Sequence, residues 1–124
     1  MAFRFEALEI WKLAIDLASH VYDVTERFPK NEIFGLRSAI RNAVISVPMN
    51  SGEGAGRGSK QDFSRFLDIA MGSIYEVVTG MAIALKRRYV TSGEYRASYE
   101  EAEVLAKKLC RFQDTLVPAG RGEA

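Results

Sequence analysis

At 124 residues, with 48% hydrophobic and 27% charged residues, the chain has the composition of one globular domain near the size at which oligomerisation adds useful burial. Its formal net charge of +1 excludes a generally polycationic protein, and its single cysteine, Cys110, excludes an internal disulfide and agrees with a reducing compartment. Charged residues interrupt each apolar run and the N-terminus lacks the apolar core of a secretory signal, so the expectation is a cytoplasmic protein with no membrane association.

From Leu8 onward, Leu8, Trp11, Ile15, Ala18, Tyr22 and Thr25 step by three and four. A parallel row, Ile10, Ala14, Leu17, Val21, Val24 and Phe28, lies beside them. Two adjacent rows predict a helix with a broad buried face, running from about Glu6 to Phe28 and stopped by Pro29. A second helix begins near Glu32 and carries Leu36, Ile40, Ala43 and Val47 inward. Pro48 is expected to bend it, and Asn50, next on the inward row, needs a polar partner.

The run from Gly52 to Gly58 has glycine at every second position. Such density marks a change of chain direction or a close approach of backbone to something. It fails the dinucleotide fingerprint, because Arg57 or Ser59 stands where the third glycine belongs, and it follows a helix. No Gly-Lys-Ser/Thr completes a phosphate loop. The segment reads as the turn between a kinked second helix and the third. Anion binding beside Arg57 and Lys60, at the next helix N-terminus, is the alternative.

Ser59 and Asp62 then open a third helix, predicted from Lys60 to about Tyr89 on the row Phe63, Leu67, Ala70, Ile74, Val77, Met81 and Leu85. Gly72 and Gly80 lie inside it, where close approach of another helix would justify them. Thr91 and Glu94 form a capping box for a fourth helix, from Gly93 or Glu94 to Leu116, with Tyr95, Tyr99, Ala102, Leu105, Ala106, Leu109 and Phe112 inward. The fold class expected is all-α, an antiparallel up-down-up-down four-helix bundle forming one domain over residues 1–116, with 117–124 as a mobile tail.

Catalytic constellations find little support. His20 is the only histidine and Cys110 has no ligand companion, so neither a metal site nor a nucleophilic triad is expected, and no cofactor is implied. Glu76 lies among apolar neighbours in the third helix. An inward carboxylate there would need pairing, to Arg37, Arg41 or Asn50, so Asn50, Glu53 and Glu76 are read as structural polar residues.

Ordered motifs give the chain a family likeness over roughly residues 5–116. These are Phe28-Pro29 with Glu32 and Gly35-Leu36, Ser46-Val47-Pro48 with Asn50, Glu53-Gly54-Ala55-Gly56-Arg57, Phe66-Leu67, and Gly72-Ser73-Ile74-Tyr75-Glu76 with Thr79. The chain resembles the bacterial four-helix bundle family encoded in intervening sequences of large-subunit (23S) ribosomal RNA genes. It is also similar to the accessory variability determinant of diversity-generating retroelements. Ser51-Gly52 departs from the usual Ile-Ala, which puts the local loop geometry in question, and Lys86-Arg87-Arg88 replaces a more apolar helix end.

The resemblance implies a ring-shaped homopentamer of bundles without established catalysis; in the retroelement relative, a basic surface of the ring engages nucleic acid and a reverse transcriptase. The charge distribution accommodates RNA or DNA: residues 35–92 carry eight Lys/Arg against four Asp/Glu. Arg37, Arg41, Arg57, Lys60, Arg65, Lys86, Arg87 and Arg88 are the candidate phosphate contacts. The alternatives are an internally paired, solvated surface for these residues, and a protein-interaction scaffold without nucleic acid for the whole.

Overall fold

The computed structural model describes residues 2–117, and the expected tail from Pro118 onward lies outside them. Four α-helices occupy most of that span: α1 (Glu9–Thr25), α2 (Leu36–Ala55), α3 (Lys60–Lys86) and α4 (Ser92–Leu116). Short 3-10 turns at Arg4–Ala7 and Lys30–Glu32 precede α1 and α2. Each helix packs on the next in sequence and α4 closes against α1, which makes the all-α bundle that the apolar periodicity requires.

The inward row of α1 is Ile10, Ala14, Leu17 and Val21, all buried, whereas Ile15 and Tyr22 from the neighbouring row stay partly exposed. The helix is also shorter than its pattern suggests. Leu8 is extended (φ −78°, ψ 124°) and separates Glu6 from the helix proper. At the other end, Thr25 turns its hydroxyl back to the Val21 carbonyl at 2.8 Å, and the chain leaves the helix before Phe28.

The glycine-rich segment corrects the sequence reading most clearly. Helix α2 runs through Pro48, Gly52 and Gly54 to Ala55, leaving only residues 56–59 as the turn. Backbone polar groups in the stretch that Pro48 interrupts gain side-chain partners: Asn50 Nδ2 donates to the Ser46 carbonyl at 2.8 Å and Ser51 Oγ to the Val47 carbonyl at 2.8 Å. Ser51 is fully buried in this bond.

Close packing explains two of the glycines. A Cβ on Gly80 would lie 2.5 Å from Ile40 Cγ1, and one on Gly54 would lie 2.8 Å from Phe63 Cδ1 and 2.9 Å from Phe66 Cβ. Helices α2 and α3 therefore touch closely near both ends of their contact. Gly72, by contrast, is exposed and would meet nothing within 4 Å.

Helix α3 stops at Lys86 rather than Tyr89 because Arg88 adopts a left-handed conformation (φ 64°). The Tyr89 amide bonds back to the Ala84 carbonyl at 2.8 Å and the Arg88 amide to the Leu85 carbonyl at 3.0 Å, the two bonds of a Schellman cap. The expected caps at Ser59 and Thr91 are present, with Asp62 N to Ser59 Oγ at 3.0 Å and Glu94 N to Thr91 Oγ1 at 3.1 Å. Tyr99, expected inward, is instead 44% exposed.

One polar group joins the core unannounced. Gln113 is 1% exposed, and its Nε2 donates to the Ser64 carbonyl at 2.9 Å, Ser64 Oγ at 3.1 Å and Asp68 Oδ1 at 2.6 Å, tying the end of α4 to α3. The premise that charges keep every apolar run short needs amendment. Between Asp68 and Lys86 the only charge is Glu76, and α3 contains an 18-residue window of mean hydropathy 1.4, long and apolar enough to cross a membrane by composition alone. In the bundle this apolarity serves the core residues Leu67, Ala70, Ile74, Val77 and Met81.

Candidate nucleic-acid interface

Alternating helix direction brings the α1–α2 and α3–α4 connections to one end of the bundle and the α2–α3 turn to the other. The eight cations selected from sequence divide accordingly. Arg57, Lys60 and Arg65 sit at the α2–α3 turn; Arg37, Arg41, Lys86, Arg87 and Arg88 sit at the opposite end. Lys60 and Lys86 are separated by the length of α3, ~39 Å at 1.5 Å per residue, so the eight do not make one patch on a single chain.

At the α2–α3 turn the positive charge is largely paired. Arg57 contacts Glu53 Oε2 at 2.8 Å and Asp62 Oδ2 at 3.7 Å, and Arg65 contacts Asp62 Oδ1 at 2.9 Å. Both guanidinium groups also lie over the Phe66 ring, at 4.6 and 4.7 Å from its centroid. Lys60 borders a depression of about 330 Å³ shared with Arg4 and Arg57 over an apolar floor of Leu8, Phe63 and Leu116. Arg4 itself donates to the Ala55 carbonyl at 2.6 Å and so covers the end of α2.

The opposite end differs in how its carboxylates are used. Residues 26–41 and 86–96 bring eight Lys/Arg and three Glu together there. Glu26 bonds Arg41 at 3.0 Å, and this bond, then the nearby Arg37, holds its carboxyl below the usual range. Glu32 Oε1 accepts the Leu36 amide at 2.9 Å and caps α2, while Oε2 accepts the Tyr89 hydroxyl at 2.9 Å; these two bonds lower its pKa in that order. Glu94 closes the Thr91 capping box and pairs with Arg27, and its pKa is lowered first by the Thr91 amide and then by Arg27.

Glu32 and Glu94 are therefore occupied in capping helix ends, and Glu26 in pairing with Arg41. Three cations, Arg27, Arg37 and Arg41, are occupied with them. Arg41, with 15% of its side chain exposed, donates to Thr25 Oγ1 at 2.8 Å, the Tyr22 carbonyl at 2.9 Å and Glu26, and lies 4.4 Å above the Tyr22 ring. Through Nε and Nη2 it anchors the end of α1. Arg37 lies 3.9 Å from Glu26. Lys30, Lys86 and Arg88 have no ion-pair partner among the described residues, and Arg87 has only the field of Glu32.

The three structural polar residues separate in kind. Asn50 is half-buried and joins Ser46, whose hydroxyl also accepts from Ser73 Oγ at 2.8 Å, so the partner of the amide is a serine pair bridging α2 and α3. Glu53 makes the surface pair with Arg57. Glu76 is exposed and has no polar partner among the described residues, because its position on α3 points away from the core row. The inward carboxylate expected from its apolar neighbours is thus corrected. Sequence reasoning missed Glu32, Tyr89 and Gln113; the capping role of Glu32 was signalled only by its position four residues before Leu36.

Among the described residues, no three His, Cys, Asp or Glu side chains come together as a metal site. Fold and surface together define a small helical bundle with one cationic end. The chain belongs to the 23S rRNA-intervening sequence protein family, whose model matches residues 6–111. Among solved structures it is similar to a protein of unknown function from the S23 ribosomal protein family of Bacteroides thetaiotaomicron VPI-5482. The TM-score is 0.78 and the identity 17%, over 84% of this chain and 97% of that one. Comparison with curated proteins found no match.

Proposed function

We propose that the protein is a non-enzymatic, homo-oligomeric bundle of the cytoplasm, pentameric as the family resemblance implies, that binds RNA or DNA through its cationic end. One observation carries this reading. Glu32 and Glu94 are each committed to a helix terminus and Glu26 to Arg41, which leaves Lys30, Lys86 and Arg88 without an ion pair among the described residues and Arg87 with only the field of Glu32, on adjoining turns. Phosphates would be held by charge with weak sequence preference, and oligomerisation would repeat the cationic end around the assembly. Lys60, with Arg57 and Arg65, offers a weaker second contact at the other end.

Fluorescence anisotropy with a structured RNA, for which a 23S rRNA segment is the natural first probe, tests the reading across a salt series. Binding should fall with salt, and replacing Lys86, Arg87 and Arg88 by glutamine should weaken it and reduce the slope of log K against log salt by roughly 2–3. Absence of any salt-sensitive binding by the unmodified protein would sink the proposal. A protein-interaction scaffold is the second reading, favoured by the exposed aromatic residues of α3, α4 and the α1–α2 connection; a reverse transcriptase is the partner that the retroelement resemblance suggests.

A further inference from the structure

Phe34 stands on the turn before α2 with 96% of its surface exposed, and Ile33 beside it is 37% exposed. Neither belongs to the core. The turn that presents them is braced: the Ile33 amide bonds the Lys30 carbonyl at 3.2 Å, the Gly35 amide bonds the Glu32 carbonyl at 3.1 Å, and the Glu32 carboxylate is held from both sides by Leu36 and Tyr89. The aromatic ring is thus displayed on a fixed support, an arrangement that lowers the ordering cost of binding.

A complementary surface lies elsewhere on the same chain. Between α3 and α4, a groove of about 340 Å³ is lined by Tyr75, Val78, Tyr99, Ala102 and Ala106 among others. Tyr75 is 64% exposed, and the alanines leave a hollow between the two tyrosines. Its surroundings are acidic: Glu103 lines the groove, Glu100 follows Tyr99, and Glu76 lies one turn before Thr79, all three exposed. Two cations lie near: Lys107 approaches Glu103 at 3.8 Å, and Arg96 shares an adjoining depression with Tyr99, Glu100 and Glu103. The Phe34 turn has an excess of the opposite charge: Lys30 and Arg37 flank it, Arg37 lying 3.9 Å from Glu26, and the Glu32 carboxylate between them is engaged by Leu36 and Tyr89.

We infer that Phe34 of one copy seats in the α3–α4 groove of a second copy, with Lys30 and Arg37 facing the Glu76, Glu100 and Glu103 rim. The inference rests on the homo-oligomeric reading given above and specifies its contact. Knob and groove are different surfaces of one chain, so the contact is head-to-tail; such contacts propagate from copy to copy and form a ring when the rotation closes. Lys86, Arg87 and Arg88 take no part in it.

Light scattering on the full chain, with circular dichroism as the control for folding, tests the seat. The unmodified protein should be oligomeric, and Phe34→Ser, which alters an exposed side chain, should fall to the mass of a single chain with its helicity unchanged. In a Cys110→Ser background, Phe34→Cys mixed with Tyr99→Cys should form a disulfide-linked pair faster than either variant alone. An oligomer indifferent to Phe34→Ser, or a mixture that fails to cross-link preferentially, overturns the seat and leaves the oligomer standing. A monomeric unmodified protein overturns both.

Discussion

Tyr89 donates its hydroxyl to Glu32 Oε2 at 2.9 Å while the other oxygen of the same carboxylate caps Leu36 at 2.9 Å. One side chain thereby fastens the α3–α4 connection to the first turn of α2. Tyr89→Phe removes one of the two bonds and should lower the melting temperature by a few degrees; Glu32→Gln, which weakens both, should lower it more. A double variant no less stable than Glu32→Gln alone would show that the two act as one unit. Because the Glu32 carboxyl is held below its usual 4.5, its contribution is present at neutral pH and lost as pH falls through the depressed value. The acid limb of the stability profile should therefore flatten in Glu32→Gln.

Two glycines of α3 should respond in opposite ways to alanine. Gly72→Ala meets no neighbour within 4 Å and should stabilise by about 1 kcal/mol through helix propensity. Gly80→Ala drives a methyl to 2.5 Å from Ile40 Cγ1 and should cost about 1–3 kcal/mol, read by urea denaturation.

Arg88 occupies the left-handed cap position that glycine usually fills. Arg88→Gly should stabilise the fold by about 1 kcal/mol while removing a cation from the proposed interface. Greater thermal stability combined with weaker RNA binding is the expected outcome, and equal binding would remove Arg88 from the contact set.

Gln113→Ala should cost about 2–4 kcal/mol, since it opens space in the core and strips Ser64 and Asp68 of their donor. Chemical denaturation measures it. Gln113→Glu, which replaces the donor with a carboxylate facing Asp68, should be worse than alanine.

His20, the only histidine, bonds Glu101 at 2.8 Å, and that bond, then the Glu101 charge, raises its pKa above 6.5. Its stabilising effect is complete below 6.5 and disappears as pH rises through the folded value. Proton NMR of the single imidazole should give a midpoint above 6.5, moving down in Glu101→Gln.

Bundle topology was legible because helix periodicity, the Ser59 and Thr91 caps and the turn residues all agreed. The ends of α1 and α2 were not, for reasons that lie in tertiary packing. Leu8 is extended although its pattern is helical, and glycines that read as a turn instead allow α2 to continue against Phe63 and Phe66. Likewise the basic excess of the central segment was visible in sequence. Its division between two ends, and the internal use of Arg41, depended on which carboxylates and carbonyls the fold brings near each cation. Glu76 was misplaced because apolar neighbours were taken to mean burial, whereas the outward face of α3 is itself unusually apolar.

That face bears on how the protein is made. The apolar window of α3 is only 44% buried in the finished bundle, and part of that cover comes from α4, which follows it in the chain. During synthesis, α3 emerges ahead of the 25-residue α4 that packs against it. A nascent chain stalled before Ser92 presents an exposed apolar rod to chaperones and to the insertion machinery, with Glu76 as the one charge opposing entry into lipid.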